Sequence, residues 1–327
     1  KRELAPPSST PAAGPTPPAA PAAPAAPAAS AAAQAPPSLA SAAPAPATTS
    51  GGGSKASPSV DGADAAAAPP TTARSAATDA AESGGGGGEP LRQFTPLQSF
   101  EQIARDAHAY VGPTDESNWV VPGDLLVGAY PSSPDDVENE ELLTSILKLR
   151  VNTFVCLQLE YQTEGVTEEM WRSGRGLRPY FADAVEFAKV LRAGGDKDRV
   201  TERPLKFVHF PIEDCNVVED DRVRDLAIYL VDLILHGDTI YLHCWGGHGR
   251  TGTVVCIMLH LMYGLSAEQT LYRCQYVHDL RKIPINVGSP QTPAQREQVV
   301  RVVRRLQLAS QAKAHAAEAE AAAVEAA

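Results

Sequence analysis

The sequence predicts an α/β domain with a central, mostly parallel sheet flanked by helices. Apolar runs of strand length alternate along the chain with segments of helical periodicity, the order typical of parallel sheets covered by helices. The run Val151 to Leu159 is largely apolar, as in strands buried on both faces of a sheet. Large apolar side chains are spread from Pro90 to Leu308, and a segment of this size suits one ordinary domain.

Composition divides the chain of 327 residues into three parts. Residues 1–89 are dominated by Ala, Pro, Ser, Gly and Thr, and we expect them to be disordered because they cannot bury enough apolar surface to offset the entropy of ordering. Residues 90–308 form the folded domain. Residues 309–327 are rich in Ala and Glu, and we expect this helix-prone but polar tail to fray.

Local signals set the order of the elements. Pro122-Gly123 predicts the turn of a hairpin within 118–131, and the sequence SPDD at 133–136 is a strong start signal for the next helix. Gly264 closes the long helix that begins after Arg250. Besides the hairpin, the predicted strands are 151–159, 206–211 and 239–243. The predicted helices are 91–110, 134–149, 181–191, 223–236, 251–263, 266–281 and 292–308.

Charge and cysteine content exclude several classes of protein. The net charge of −11 argues against broad binding of nucleic acid, which is held chiefly through Lys and Arg. No apolar run is long enough to span a bilayer. The cysteines are odd in number and widely spaced, so we expect free thiols in the cytoplasm or nucleus; an organelle address stays open because the chain begins at Lys1. These cysteines are Cys156, Cys215, Cys244, Cys256 and Cys274.

The segment richest in chemical information runs from Ile240 to Gly252 and reads IYLHCWGGHGRTG. It is predicted to run strand, loop, helix. In a Gly-rich loop, successive N–H groups point inward and form a concave anion site, called the cup below. The positive end of the following helix points into this cup. Such a loop by itself is weak evidence, because many loops of this kind cradle phosphate.

Two residues that bracket the loop sharpen the prediction. Cys244 lies at its start and Arg250 six positions later. The partial positive charge of the cup favours a thiolate at Cys244, which is the nucleophilic form of the side chain. The planar guanidinium of Arg250 holds two phosphate oxygens at once, and phosphoryl transfer needs mainly positioning and charge stabilisation. The hydroxyl of Thr251 is placed to hydrogen-bond the sulfur and help it leave.

The sequence from His243 to Gly252 resembles the phosphate-binding loop of the protein tyrosine phosphatase superfamily. It is most similar to the dual-specificity enzymes, especially the compact forms related to the kinase-associated and Cdc14-like branches, over roughly Trp119 to Val303. The resemblance implies the cysteine-phosphatase fold, a phosphorylated protein as substrate, and no cofactor or metal. It assigns phosphate binding to Trp245, Gly246, Gly247, His248, Gly249 and Arg250.

The same resemblance suggests the remaining reactive groups. The sequence FVHFPIED at 207–214 is similar to the acid loop of these enzymes, which makes Asp214 the preferred general acid over Glu213, Asp220 and Asp221. The sequence SPQTPAQ at 289–295 is similar to a Cdc14-like segment in which Gln295 orients the hydrolytic water. Gln298 is the rival for that role.

Several side chains allow two interpretations. Trp245 either lines the pocket or packs below the loop. His248 either adds positive charge toward a polyanionic substrate or points to solvent. Cys215 is a loop thiol with no role, or it forms a protective disulfide with Cys244 under oxidation.

The leading functional hypothesis is hydrolysis of a phosphomonoester through a phosphocysteine intermediate. A second hypothesis changes the substrate to a phosphoinositide, an inositol phosphate or an RNA 5′-phosphate, although the loop contains no Lys. A third is a catalytically inactive phospho-binding module. An arsenate reductase or low-molecular-weight phosphatase is disfavoured, because those chains carry the Cys-x5-Arg loop at the start of the domain.

Overall fold

A computed structural model describes residues 91–283 and 286–325 of the chain. Its sheet has five strands in the order β1-β2-β5-β3-β4. β1 runs antiparallel to β2, and the other three neighbouring pairs are parallel, which confirms the α/β class with a mostly parallel sheet. The strands are β1 (Ser117–Val121), β2 (Leu125–Gly128), β3 (Thr153–Gln158), β4 (Lys206–Ile212) and β5 (Ile240–His243). The predicted disorder of 1–89 lies outside the described residues.

Helices follow the strands in two packed groups. The first group pairs α2 with α4, and the second joins α5, α6, α7 and α8. The central strands β3 and β5 are buried along their whole length, as the apolar run at 151–159 predicts. The helices are α1 (Phe100–Arg105), α2 (Asp136–Leu147), α3 (Glu168–Arg172), α4 (Phe181–Ala193), α5 (Asp220–Leu235), α6 (Gly249–Tyr263), α7 (Ala267–His278) and α8 (Pro293–Glu325).

Helix α6 is the core helix. Almost all of its side chains are buried in the domain core. Because α6 begins directly after the Gly-rich loop, the core fixes the position of the end of that loop. Gly264 ends it with φ of 67°, a left-handed conformation that glycine adopts without strain. In the described part of the chain no single helix could cross a membrane by length and apolarity. Helices α6 and α7 meet that criterion only as a pair bent by 119°.

The helix predicted at 91–110 is wrong over its first half. Helix α1 covers only Phe100–Arg105, and a 3-10 turn follows at Ala107–Tyr110. Pro96 has no N–H to donate and disfavours helical backbone at the preceding residue, and the Ser99 side chain then caps the short helix.

Helix α8 differs from the prediction in the opposite direction. It continues to Glu325, well past the predicted end at residue 308, and the expected fraying of 309–327 stays a prediction. The side chains beyond Gln307 that the structure describes are exposed. The high intrinsic helix propensity of Ala and Glu accounts for a helix that continues beyond its packing contacts.

A buried carboxylate ties together the amino ends of three parallel strands. Asp238, just before β5, accepts hydrogen bonds from Asn152 and Thr153 at β3 and from Lys206 at β4, at 2.7–2.9 Å. It also pairs with Arg203 at 2.9 Å. Burial by itself would raise the pKa of Asp238, but the hydrogen bonds, led by that from Lys206, hold the pKa below its usual value.

We expect Asp238→Asn to lower the free energy of unfolding by about 3 kcal/mol, because it leaves buried donors without their anionic partner. Urea unfolding followed by circular dichroism measures the change. Asp225→Asn, which removes an exposed partner of Arg224, is the matched control and should change stability little. Equal stability of the Asp238 variant and wild type would contradict the role of this carboxylate.

Candidate active site

The Gly-rich loop lies where the sequence places it, between the end of β5 and the start of α6. Cys244 is 3% exposed and therefore lies at the bottom of the loop rather than on its rim. Gly247 has φ of 70°, and a Cβ there would lie 2.3 Å from the carbonyl oxygen of Gly128. Only glycine fits this position, because any side chain would be both strained and obstructed.

The loop carbonyls are held outward by donors from other elements. The carbonyl oxygen of Trp245 accepts from the backbone N–H of Tyr130 at 2.9 Å. Those of Gly246 and Gly247 accept from the two terminal nitrogens of Arg281, at 2.8 and 2.9 Å.

Two further carbonyls complete the set. The His248 carbonyl accepts from the Ser289 hydroxyl at 3.1 Å. The Cys244 carbonyl accepts from His243 Nδ1 at 3.3 Å. In a planar trans peptide the N–H of the next residue points opposite to the carbonyl, so these bonds turn successive amides away from the donors and into the cup. The loop is thereby pre-organised for an anion, together with the N-terminus of the 15-residue helix α6.

Arg250 is 2% exposed and is fixed by three acceptors. Its Nη1 donates to Glu160 Oε2 at 2.9 Å and to the Ile212 carbonyl at 3.0 Å, and its Nη2 pairs with Asp214 at 2.9 Å. Burial would lower the pKa of Arg250, but the charges of Cys244, Glu160 and Asp214 raise it. The buried Nε–H has no hydrogen-bond partner among the described residues, which leaves this donor available for an incoming oxyanion.

The candidate acids separate clearly in space. Asp214 lines the same cleft as Cys244 and contacts Arg250. Glu213 accepts a hydrogen bond from Asn216 within its own loop at 3.0 Å. The remaining rivals belong to ion pairs of α5 and α8: Asp220 pairs with Arg301, and Asp221 with Arg224 and Arg305. The geometry therefore favours Asp214, the residue that the resemblance selects.

His243 is a neutral residue buried beneath the loop. Burial lowers its pKa to about 3. Its Nδ1–H donates to the Cys244 carbonyl, so its Nε2 accepts from the Tyr180 hydroxyl at 2.7 Å. Burial raises the pKa of Tyr180 well above its usual value, and its hydroxyl remains a donor.

His248 neither adds positive charge toward a substrate nor points to solvent, the two interpretations that the sequence allowed. It is half-buried, and its Nδ1 is 2.7 Å from Nε2 of His278, whose Nδ1 is 3.2 Å from Asp279. Burial and the nearby charge of Arg281 lower the pKa of His248 to about 3, so it adds no positive charge to the site. If His278 donates to the Asp279 carboxylate and accepts from His248, Nε2 of His248 is left as an acceptor beside Gly246.

The two glutamines occupy different surroundings. Gln295 is fully buried against the loop. Its amide oxygen accepts a hydrogen bond from Thr292 N at 3.0 Å. The same oxygen lies so close to Gly249 that a Cβ added there would be only 2.6 Å from it. Its amide nitrogen donates to Asn216 in the acid loop at 3.2 Å. Gln298 instead bonds Val218 and Asp220. Gln295 is therefore the glutamine that links the acid loop to the Gly-rich loop.

A cleft of about 450 Å³ opens above Cys244. It is lined by Glu116, Ala129, Tyr130, Ser132, Asp214, Cys215, Cys244, Trp245, Gly246, His248, Gly249, Arg250 and Gln291. Trp245 therefore lines the pocket rather than packing below the loop. Of the described lining residues, Arg250 is the only Lys or Arg, so the cleft offers one strong cation for an anionic ligand. The Thr251 hydroxyl is buried without a partner in the described structure.

All five cysteines are free thiols. Cys215 is exposed, lines the cleft with Cys244 and has φ of 58°. Its disulfide with Cys244 stays a prediction. Within 91–283 and 286–325 no group of three His, Cys, Asp or Glu side chains could hold a metal ion.

Sequence reasoning missed the residues that support the loop from other elements. No local pattern marks three of these residues, which lie between 34 and 90 positions from their loop partners: Arg281, Glu160 and Tyr180. Ser289 belongs to the segment 289–295 that the sequence singles out, but its bond to the His248 carbonyl was not predicted. Arg281 is the central one, because its Nε also donates to buried Asn118 at 2.8 Å. A lone Arg after a helix carries no sequence signal for such a role.

We expect Arg281→Met to raise the dissociation constant for tungstate, an oxyanion that mimics phosphate, by about 10-fold or more. The change removes two charge-assisted bonds that hold the loop carbonyls outward. Calorimetric titration measures the affinity, and circular dichroism checks that the variant is folded. Lys282→Met is the control, because its ammonium group donates to the remote Pro113 carbonyl. Unchanged tungstate affinity in folded Arg281→Met would contradict the positioning role.

We expect the His243 imidazole to stay neutral from pH 7.5 to pH 5, because its pKa is about 3. A histidine in the unfolded chain binds a proton near pH 6.5, so the stability contributed by burying neutral His243 is complete above that pH and is lost as pH falls toward 3. The loss between pH 7 and 5 should be about 2 kcal/mol. NMR of ring-labelled histidine checks the charge state; a titration midpoint of His243 above pH 5 would contradict it.

The model of the dual-specificity (DSP-PTPase) phosphatase domain of Swiss Army Knife proteins matches residues 195–319, a segment that contains the Gly-rich loop and Asp214. Among solved structures, Tk-PTP in its active form is similar with 19% identity and a TM-score of 0.38, over 58% of this chain and 97% of that one.

Two viral proteins named as candidate tyrosine phosphatases are also similar. Protein 067L of Invertebrate iridescent virus 3 is 32% identical over 85 residues, which cover 24% of this chain and 35% of that protein. Protein 197R of Invertebrate iridescent virus 6 is 26% identical over 109 residues, covering 31% and 41%. The chain thus spans less than half the length of these relatives. The matched domain, which contains the Gly-rich loop and Asp214, makes this part of the chain similar to the dual-specificity phosphatases of the protein tyrosine phosphatase superfamily.

Proposed function

We propose that the chain hydrolyses phosphate monoesters through a phosphocysteine intermediate on Cys244. One observation carries the proposal: Cys244, the unpartnered Nε–H of Arg250 and the Asp214 carboxyl group meet in one cleft above a loop whose carbonyls are all turned outward. A nucleophile, an oxyanion clamp and an acid are the groups that transfer of a phosphoryl group from an ester requires.

In the first step, the thiolate of Cys244 attacks phosphorus and the bond from phosphorus to the ester oxygen breaks. The leaving oxygen takes the proton of the Asp214 carboxyl group, so the product departs as a neutral alcohol or phenol. Arg250 and the inward-facing amides hold the other phosphate oxygens as charge shifts among them. The unpartnered hydroxyl of Thr251 is free to donate to the sulfur.

In the second step, water attacks the phosphocysteine. The Asp214 carboxylate takes a proton from that water, the phosphorus–sulfur bond breaks, and phosphate and the Cys244 thiolate are released. Gln295 is the candidate to orient the water, because it links the acid loop to Gly249. Every proton is supplied and recovered by Asp214 and water.

The charge of the cleft supports a singly phosphorylated protein side chain as substrate. Glu116 and Asp214 line the rim, and His248 is neutral. A second phosphate on a phosphoinositide, or the chain of an RNA 5′-phosphate, would meet carboxylates here rather than the cations that bind phosphate. Phosphotyrosine, with phosphoserine and phosphothreonine, is therefore the proposed substrate class.

We expect the full chain to hydrolyse p-nitrophenyl phosphate without added metal. Cys244→Ser should have no measurable turnover, because a hydroxyl is a far weaker nucleophile than a thiolate. Asp214→Asn should lower kcat by about 10²- to 10⁴-fold, the usual contribution of a positioned acid. Glu213→Gln is the matched control and should stay within about 2-fold of wild type.

Two results would contradict the proposal. Wild type that binds tungstate but turns over no phosphoester is the inactive phospho-binding module instead. Activity retained by Cys244→Ser would mean that the phosphocysteine does not form. If Glu213→Gln is the slow variant and Asp214→Asn is not, the acid is Glu213.

A further inference from the structure

An aromatic pair forms one wall of the cleft above Cys244. The rings of Trp245 and Tyr130 lie nearly parallel, with 13° between their planes and 6.4 Å between their centroids. Both line the cleft, yet Trp245 is 52% exposed. A tryptophan that served only to pack the loop would bury most of its ring, whereas this one keeps a large part uncovered.

The pair is fixed in position. The backbone N–H of Tyr130 donates to the Trp245 carbonyl at 2.9 Å, and the Tyr130 hydroxyl donates to the Arg178 carbonyl. The Tyr130 ring also makes edge contacts with Tyr180 and His243 at 5.5 and 5.8 Å. Since Tyr130 is held by backbone and core, the stacked Trp245 ring rests on a rigid support and loses little freedom when a ligand binds it.

Beyond the phosphate itself, the cleft has little charge with which to recognise a substrate. Arg250 is the only Lys or Arg among the described lining residues, and it belongs to the phosphate site. The group attached to the phosphate must therefore be recognised mainly by shape and by the aromatic wall. In an aryl phosphate the ring is bonded directly to the leaving oxygen, so it must lie within the cleft that Trp245 lines.

We propose that Trp245, supported by Tyr130, is a specificity-determining residue that stacks the ring of an aryl phosphate and so makes the site prefer aryl over alkyl monoesters. This inference rests on the proposed function and refines its substrate class: phosphotyrosine is preferred to phosphoserine and phosphothreonine. An alkyl ester has no π face to stack. The preference that such a contact supplies is roughly 3- to 10-fold.

Direct binding separates this inference from catalysis. Calorimetric titration of the full chain with benzylphosphonate and ethylphosphonate compares an aryl and an alkyl ligand that the site cannot hydrolyse. The variants are Trp245→Leu, which removes the aromatic face, and Trp245→Phe, which restores a smaller one. Tyr229→Leu is the matched control, because Tyr229 is an exposed aromatic residue on α5, outside the residues that line the cleft.

We expect Trp245→Leu to weaken benzylphosphonate roughly 3- to 10-fold and ethylphosphonate less than about 2-fold, with Trp245→Phe regaining most of the loss. Equal weakening of both ligands would mean that Trp245 only supports the loop, and unchanged affinity for both ligands would mean that it touches no ring. Either result overturns the inference and leaves the proposed function standing. Failure of wild type to bind either phosphonate would overturn both.

Discussion

The site depends on where the carbonyl groups of one loop point. The carbonyls of residues 244–248 are held away from the cup by Arg281, Ser289, His243 and the Tyr130 amide. Without these bonds the same glycines would let the backbone rotate, and carbonyl dipoles would face the anion. Arg281 matters most, because one buried guanidinium fixes two consecutive peptides and is itself held by Asn118 on β1. Asn118 on the outer hairpin thus supports the loop without lining the cleft.

A second constraint is that the two histidines of the loop region carry no charge. Histidines flank Cys244 on either side, and burial keeps both His243 and His248 neutral, with pKa values of about 3. Positive charge in the cup therefore comes from Arg250, the amides and the helix terminus. Such a source is nearly independent of pH around neutrality, since arginine and peptide groups do not titrate there. The neutral imidazoles instead form hydrogen bonds between the loop and neighbouring elements, His243 to Tyr180 and His248 to His278.

Recognition follows from what the fold places around this cup. The hairpin contributes Tyr130, the acid loop after β4 contributes Asp214, and the segment before α8 contributes Gln291. The rim is thus acidic and aromatic, with Arg250 as the buried cation. We therefore expect the site to bind one phosphate group and to select the attached group by its shape. In the proposed reaction the cup binds the phosphate, and the aromatic pair of Tyr130 and Trp245 recognises the group attached to it.

The sequence by itself determined the α/β class, the hairpin, the position of the loop between a strand and a helix, and Cys244, Arg250 and Asp214 as candidates. The class, the hairpin, the loop and its bracketing Cys244 and Arg250 rest on local patterns: hydrophobic periodicity, turn residues or a spacing of six positions. Asp214 rests on the resemblance of 207–214 to the acid loop of the dual-specificity phosphatases. It did not determine that Arg281 and Glu160 support the loop, that His248 is neutral, or that Gln295 rather than Gln298 contacts Gly249. Those facts depend on burial and on contacts between residues distant along the chain. Desolvation and hydrogen bonding act through space, so only the tertiary structure decides them.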